Sequence, residues 1–92
     1  MDDIMGLWIT KVRCYPDGTD TPTALYDLTI TDNGLDVMGG NLADRTEATT
    51  GDQALPKIGD SEGPTQITGD LTISGEHMGN SKKVTVVIDL TW

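Results

Sequence analysis

Few residues of this sequence are able to do chemistry, and they are scattered. His77 is the only histidine and Cys14 the only cysteine among 92 residues. A catalytic histidine needs an orienting partner and a pocket. His77 lies in SGEHMGN, residues 74–80, where the adjacent Glu76 establishes neither, and it reads as a solvated loop residue. A single histidine also excludes a His-rich metal site. Cys14 alternates with Val12 in a strand-like stretch, which marks a buried thiol. A nucleophilic thiol needs a lowered pKa, and Arg13, the adjacent cation, projects to the opposite face of a strand. The loops PDGTD (16–20) and GDSEG (59–63) offer Asp17, Thr19, Asp20, Asp60 and Glu62 as oxygen ligands for Ca²⁺. They lack the D-x-D-x-D-G spacing of an EF-hand loop, and turn chemistry accounts for the same residue types. MGGNL, residues 38–42, lacks the glycine spacing of a phosphate cradle. Lys82-Lys83 is a two-residue basic spot at a strand start and reads as a solvated end. Trp8, Tyr15, Tyr26 and Trp92 are of the type that stacks on sugar rings, which together with the loop acids would make a carbohydrate- or Ca-binding β module. Each of these aromatics falls in a strand pattern, however, where core or interface use is expected. The sequence therefore gives no catalytic, cofactor or metal site, and the expectation is a chain that is not an enzyme.

Charge narrows the partners. Fifteen acidic against six basic side chains leave a formal charge of −9, and such a domain has no cationic footprint for a phosphate backbone. Apolar runs are short, as at Val86-Val87-Ile88, whereas a membrane helix needs about 20 apolar residues. Neither nucleic acid nor membrane is an expected partner. Asp2 and Asp3 stand where a secretory leader carries basic residues, so no signal peptide is read and synthesis is expected in a cytoplasm.

The elements that must position these residues are strands. Residues 7–15 (LWITKVRCY) alternate, with Trp8, Thr10, Val12 and Cys14 on one face and Leu7, Ile9, Lys11, Arg13 and Tyr15 on the other. The second face begins apolar and turns basic. Residues 25–31 place Tyr26, Leu28 and Ile30 inward. Asn33-Gly34 follows, the dipeptide that favours a type I′ hairpin, with Leu35 and Val37 on one face of the return strand. Asn41 is placed to cap at most one helical turn. Ile67, Gly69, Leu71 and Ile73 share a face, and Val84, Val86, Ile88, Leu90 and Trp92 repeat at period two. These two runs read as a second hairpin closed by a longer loop. The expectation is all-β: one domain, residues 1–92, forming a small antiparallel β-sandwich or barrel of five to seven short strands.

Residues 26–41 (YDLTITDNGLDVMGGN) resemble small structural proteins encoded in tailed-bacteriophage genomes, which carry segments of the type YDITLTDxxGxDVLGG. The matching positions are Tyr26, Asp27, Asp32, Gly34, Asp36, Val37, Gly39 and Gly40, followed by Arg45 and Thr46. Leu71, Thr72 and Ile73, then the run from Val84 to Leu90, match the closing strands of those chains. The chain departs from the pattern at Asp89 and in the insertion PKIGDSEGPTQ, residues 56–66. The resemblance implies a non-enzymatic virion component, made in the host cytoplasm. Its partners would be other virion proteins of capsid or tail, met as a homo-oligomer or multi-copy assembly, and it would require no cofactor. A capsid decoration (cement) protein is favoured over a tail or fibre-attachment protein. The apolar residues without an evident core face, Leu7, Ile9, Tyr15 and Val87, are the expected protein interface, with Trp92 added as a terminal aromatic anchor.

Overall fold

The computed structural model describes residues 5–92; Asp2 and Asp3 lie outside the described residues. Nine strands follow one another: β1 (Trp8–Pro16), β2 (Asp27–Asp32), β3 (Leu35–Asp36), β4 (Asp52–Ala54), β5 (Lys57–Ile58), β6 (Ser61–Glu62), β7 (Thr65–Gln66), β8 (Leu71–Glu76) and β9 (Val84–Thr91). The all-β expectation holds. The count exceeds five to seven because β3, β5, β6 and β7 are two-residue pieces, cut short by Gly and Pro. All pairings are antiparallel.

β1 is the hub. It pairs with β9 along one side, and on its other side with β4 over Val12–Cys14 and with β7 at Trp8 and Ile9. The second sheet is β3-β2-β8, and β5-β6 is a separate hairpin. Ile9, Val12 and Cys14 of β1 meet Leu28 and Ile30 of β2 in one core with Tyr26, Val37, Met38, Leu42 and Ile67. The two sheets thus face one another across it.

Three local readings change. The β1–β9 register slips between Ile9 and Lys11, so Thr10 is an extra residue in β1. Such a bulge inverts the inward-outward phase. Ile9, Val12 and Cys14 are all fully buried, while Trp8 is exposed. The mixed character of the Ile9-Lys11-Arg13 face was the trace of this bulge. Second, the run 71–76 does not form a hairpin with 84–91. β8 pairs β2 and β9 pairs β1, and residues 77–83 cross from one sheet to the other. Third, Asn41 caps no helix; its Nδ2 donates to Leu55 O at 2.9 Å and to Glu62 Oε2 at 2.7 Å.

The Asn33-Gly34 turn has the expected form, with φ of 50° and 84° closing the Asp32–Leu35 pair. The return strand ends at once, because Asp36 Oδ1 accepts the Met38 N–H at 2.9 Å and turns the chain. Val37 is buried, whereas Leu35 is exposed. Gly39 then passes against Lys57; a Cβ there would stand 2.6 Å from the Lys57 carbonyl oxygen, at a φ of +56°.

Candidate interaction surface

Hydrogen-bond phase decides which backbone groups of the outer strands are satisfied. In antiparallel ladders, hydrogen-bonded and non-bonded pairs alternate. The Asp17 N–H donates to Lys83 O at 3.1 Å, continuing the β1–β9 register. Residues 85, 87 and 89 therefore turn their N–H and C=O toward β1, and Val84, Val86 and Ile88 turn theirs outward. For β8 the phase is set by the Asn33 N–H donating to Asp70 O at 3.0 Å. Leu71, Ile73 and Gly75 carry the outward groups there. Among the described residues no strand pairs with either outer edge.

Apart from Gly75, the same residues point their side chains into the sandwich, yet cover is incomplete. Val84, Val86 and Ile88 are half-buried, and Ile73 is 47% exposed. Its cross-strand partner Ile30 is fully buried. One flank of the sandwich thus consists of two unpaired edges over a partly open apolar interior. The opposite flank is sealed at the level of the backbone, although Leu35 and Ile58 stand exposed on it. Lys57 N–H donates to Val37 O, Gly63 N–H to Pro56 O, Leu28 N–H to Leu42 O and Ile67 N–H to Leu7 O, tying β5-β6 and the loops onto both sheets.

Of the expected interface residues, the structure brings Tyr15 and Val87 together on the outer face of the β1 sheet. Val87 sits across from Arg13, whose Nη1 donates to Tyr15 Oη at 3.3 Å. Arg13 also forms a two-pronged pair with Asp89, 3.0 Å from Nε and 2.7 Å from Nη2. Asp89, the departure from the resembled pattern, thus has a cation of its own. Trp92 ends the chain beyond β9 and is 90% exposed. Ile9 belongs to the core, for the bulge reason above, and Leu7 packs against that core. Ile9 is thus not placed for an interface, whereas Leu7 is half-buried.

Cys14 is buried, and burial pushes its thiol above the ordinary value. Tyr26, considered for sugar stacking, is fully buried. Burial raises its hydroxyl to about 12, and the Oη has no hydrogen-bond partner among the described residues. Asp17 is committed to its own turn; its Oδ2 accepts the N–H groups of Asp20 and Thr19, which hold the carboxyl below the usual range. Among the described residues, no three His, Cys, Asp or Glu side chains gather as metal ligands. Of the basic spot, Lys83 faces Asp20 at 3.6 Å. No protein-family model, curated protein or solved structure matches this chain.

Sequence reading missed four contacts. His77 Nδ1 lies 2.6 Å from Asp27 Oδ2, although His77 is largely exposed. Arg45 pairs with Asp52 at 2.9 Å and joins the loop to β4. Arg13 finds Asp89. Asp32, 5% exposed, accepts at Oδ2 from the Thr68 N–H at 2.7 Å and from its hydroxyl at 3.1 Å, leaving Oδ1 buried without a partner among the described residues. Asp32 lines a hollow of about 400 Å³ with Leu35, Val37 and Ile58. The one available signal was phase: Asp32 continues the inward series Tyr26, Leu28, Ile30 and so had to be buried.

Proposed function

We propose that this chain is a non-enzymatic structural module of a tailed-phage virion. It packs in multiple copies onto other virion proteins, and a capsid decoration role is favoured over tail or fibre attachment. The phage assignment rests on the resemblance of residues 26–41. The packing role rests on the unsealed flank, where β8 and β9 present unpaired backbone groups beside apolar side chains that the domain itself covers incompletely. Edges of this kind are templates for another chain. Burying the rest of that apolar surface would stabilise an assembly by roughly 25 cal/mol per Å² removed from water. A net charge of −9 suits basic patches on the larger partner and keeps the free chain soluble until it docks.

Mass spectrometry of purified virions from the phage that encodes the chain tests the proposal. The chain is expected in the particle at a copy number comparable with that of an abundant capsid or tail protein. Its absence from purified particles would refute the assignment.

A further inference from the structure

We propose that the free edge of β9 pairs antiparallel with β9 of a second copy, about a two-fold axis through Val87. This deepens the packing reading by naming one surface and its partner, and it stands on the strand itself.

Three observations converge. First, β9 has eight residues and lacks the usual protections of an edge. Natural edges are blunted by Pro, by inward-pointing charge, by Lys or by a bulge. Residues 84–91 contain no Pro and no Lys, the bulge lies in β1 instead, and the one charged side chain, Asp89, is neutralised by Arg13. β8 is the poorer candidate; it is shorter, and Gly75 stands near its end.

Second, the outward N–H and C=O groups belong to Val84, Val86 and Ile88, and β9 itself is regular, so Leu90 continues the series. Self-pairing must join even-numbered residues to even-numbered residues. With Val87 on the axis, Val84 is bonded opposite Leu90 of the second copy and Val86 opposite Ile88.

Third, that register is complementary on both faces. Inward, every directly opposed pair is apolar and branched, the type that stabilises a sheet. Outward, Val87 meets Val87, Thr85 meets Asp89, and Lys83 meets Thr91. No like charges oppose each other. A two-fold axis normal to the sheet keeps both inner faces on one side. The half-exposed Val84, Val86 and Ile88 therefore gain neighbours from a sheet running continuously through both molecules.

The test uses the purified full chain by analytical ultracentrifugation, from micromolar to millimolar concentration. The wild type is expected to reach twice the 9.8 kDa chain mass. Val87→Lys and Val87→Glu, both at an outward position, are each expected to stay monomeric with an unchanged circular-dichroism spectrum. Mixing the two is expected to restore a dimer, because opposite charges then meet on the axis. Amide exchange supplies a readout that needs no variant: Val84, Val86 and Ile88 are protected in the dimer and exchange freely when dilute. A wild type monomeric throughout, a dimer that survives both Val87 substitutions, a mixture that stays monomeric, or unprotected amides at those three positions would each overturn the inference. A monomer in solution that is nonetheless found on purified virions ends the edge pairing and leaves the packing proposal standing. A dimer absent from virions does the reverse.

Discussion

The two flanks of the sandwich solve the same problem in opposite ways. On the sealed side, β2 is bordered by β3, and beyond it residues 37–45 and the β5-β6 hairpin supply donors and acceptors at close range. Gly39 allows Lys57 to approach to a distance that no side chain would permit. On the open side, β8 and β9 end the two sheets with nothing beyond them among the described residues. Ile30 and Ile73 are the same residue type, directly opposed on one ladder. One is fully buried and the other nearly half exposed. Residue type therefore does not determine burial here; the place of the strand in its sheet, central for Ile30 and outer for Ile73, does.

Truncating each member of that isoleucine pair gives the sharpest contrast. Ile30→Ala is expected to cost about 2–5 kcal/mol in urea unfolding of the monomer, and Ile73→Ala under about 1.5 kcal/mol. Equal losses would mean that the central and outer strands are equivalent. Next comes Gly39→Ala, where a disfavoured φ and a close carbonyl act together. A loss of about 2–4 kcal/mol is expected, and a neutral result would show that the sealed flank is loose. Asp32→Ala removes the acceptor of the Thr68 N–H at the seam between the sheets, for an expected loss of about 1–3 kcal/mol. Tyr26→Phe runs the other way. It deletes a buried hydroxyl without a partner among the described residues, so stability is expected to hold or to rise by up to about 1 kcal/mol. A clear loss would reveal an acceptor for that hydroxyl.

The smallest effect is electrostatic and sits where residues 77–83 leave β8. Hydrogen bonding to Asp27 raises the His77 pKa above 6.5, so its stabilisation is present below that value and lost as pH rises through the raised one. Asp27 is held below 3.8 by the Asp44 N–H and then by His77. Its stabilisation is present above 3.8 and lost as pH falls through the lowered value. Melting temperature is expected to decline slightly as pH rises above 6.5 through the raised His77 pKa, and His77→Ala should abolish that decline. An unchanged profile in the variant would remove the pair from the account.

What the sequence revealed follows from the range of each interaction. The β class, the Asn33-Gly34 turn and the inward series Tyr26, Leu28, Ile30 depend on neighbours within a few residues, and all were legible. The inward phase of Val84, Val86 and Ile88 was legible for the same reason. The partner of β9 was not, because Val12 and Ile88 meet across most of the chain and alternation carries no information about partners. The Thr10 bulge was visible only as a face that changed character, which a departing strand would produce equally well. Of the expected interface residues, Tyr15 and Val87 share an outer face and Trp92 is exposed, while Ile9 fell to the core once the bulge inverted its phase.

β1 carries a temporal consequence. Its longest ladder joins it to β9, with Arg13 and Asp89 lying 76 positions apart. During translation the first strand leaves the ribosome long before its main neighbour has been made. Closing so wide a loop is entropically costly and slows assembly of the sheet. The nascent polypeptide must therefore hold its first strand without that neighbour until residues 84–91 have been made.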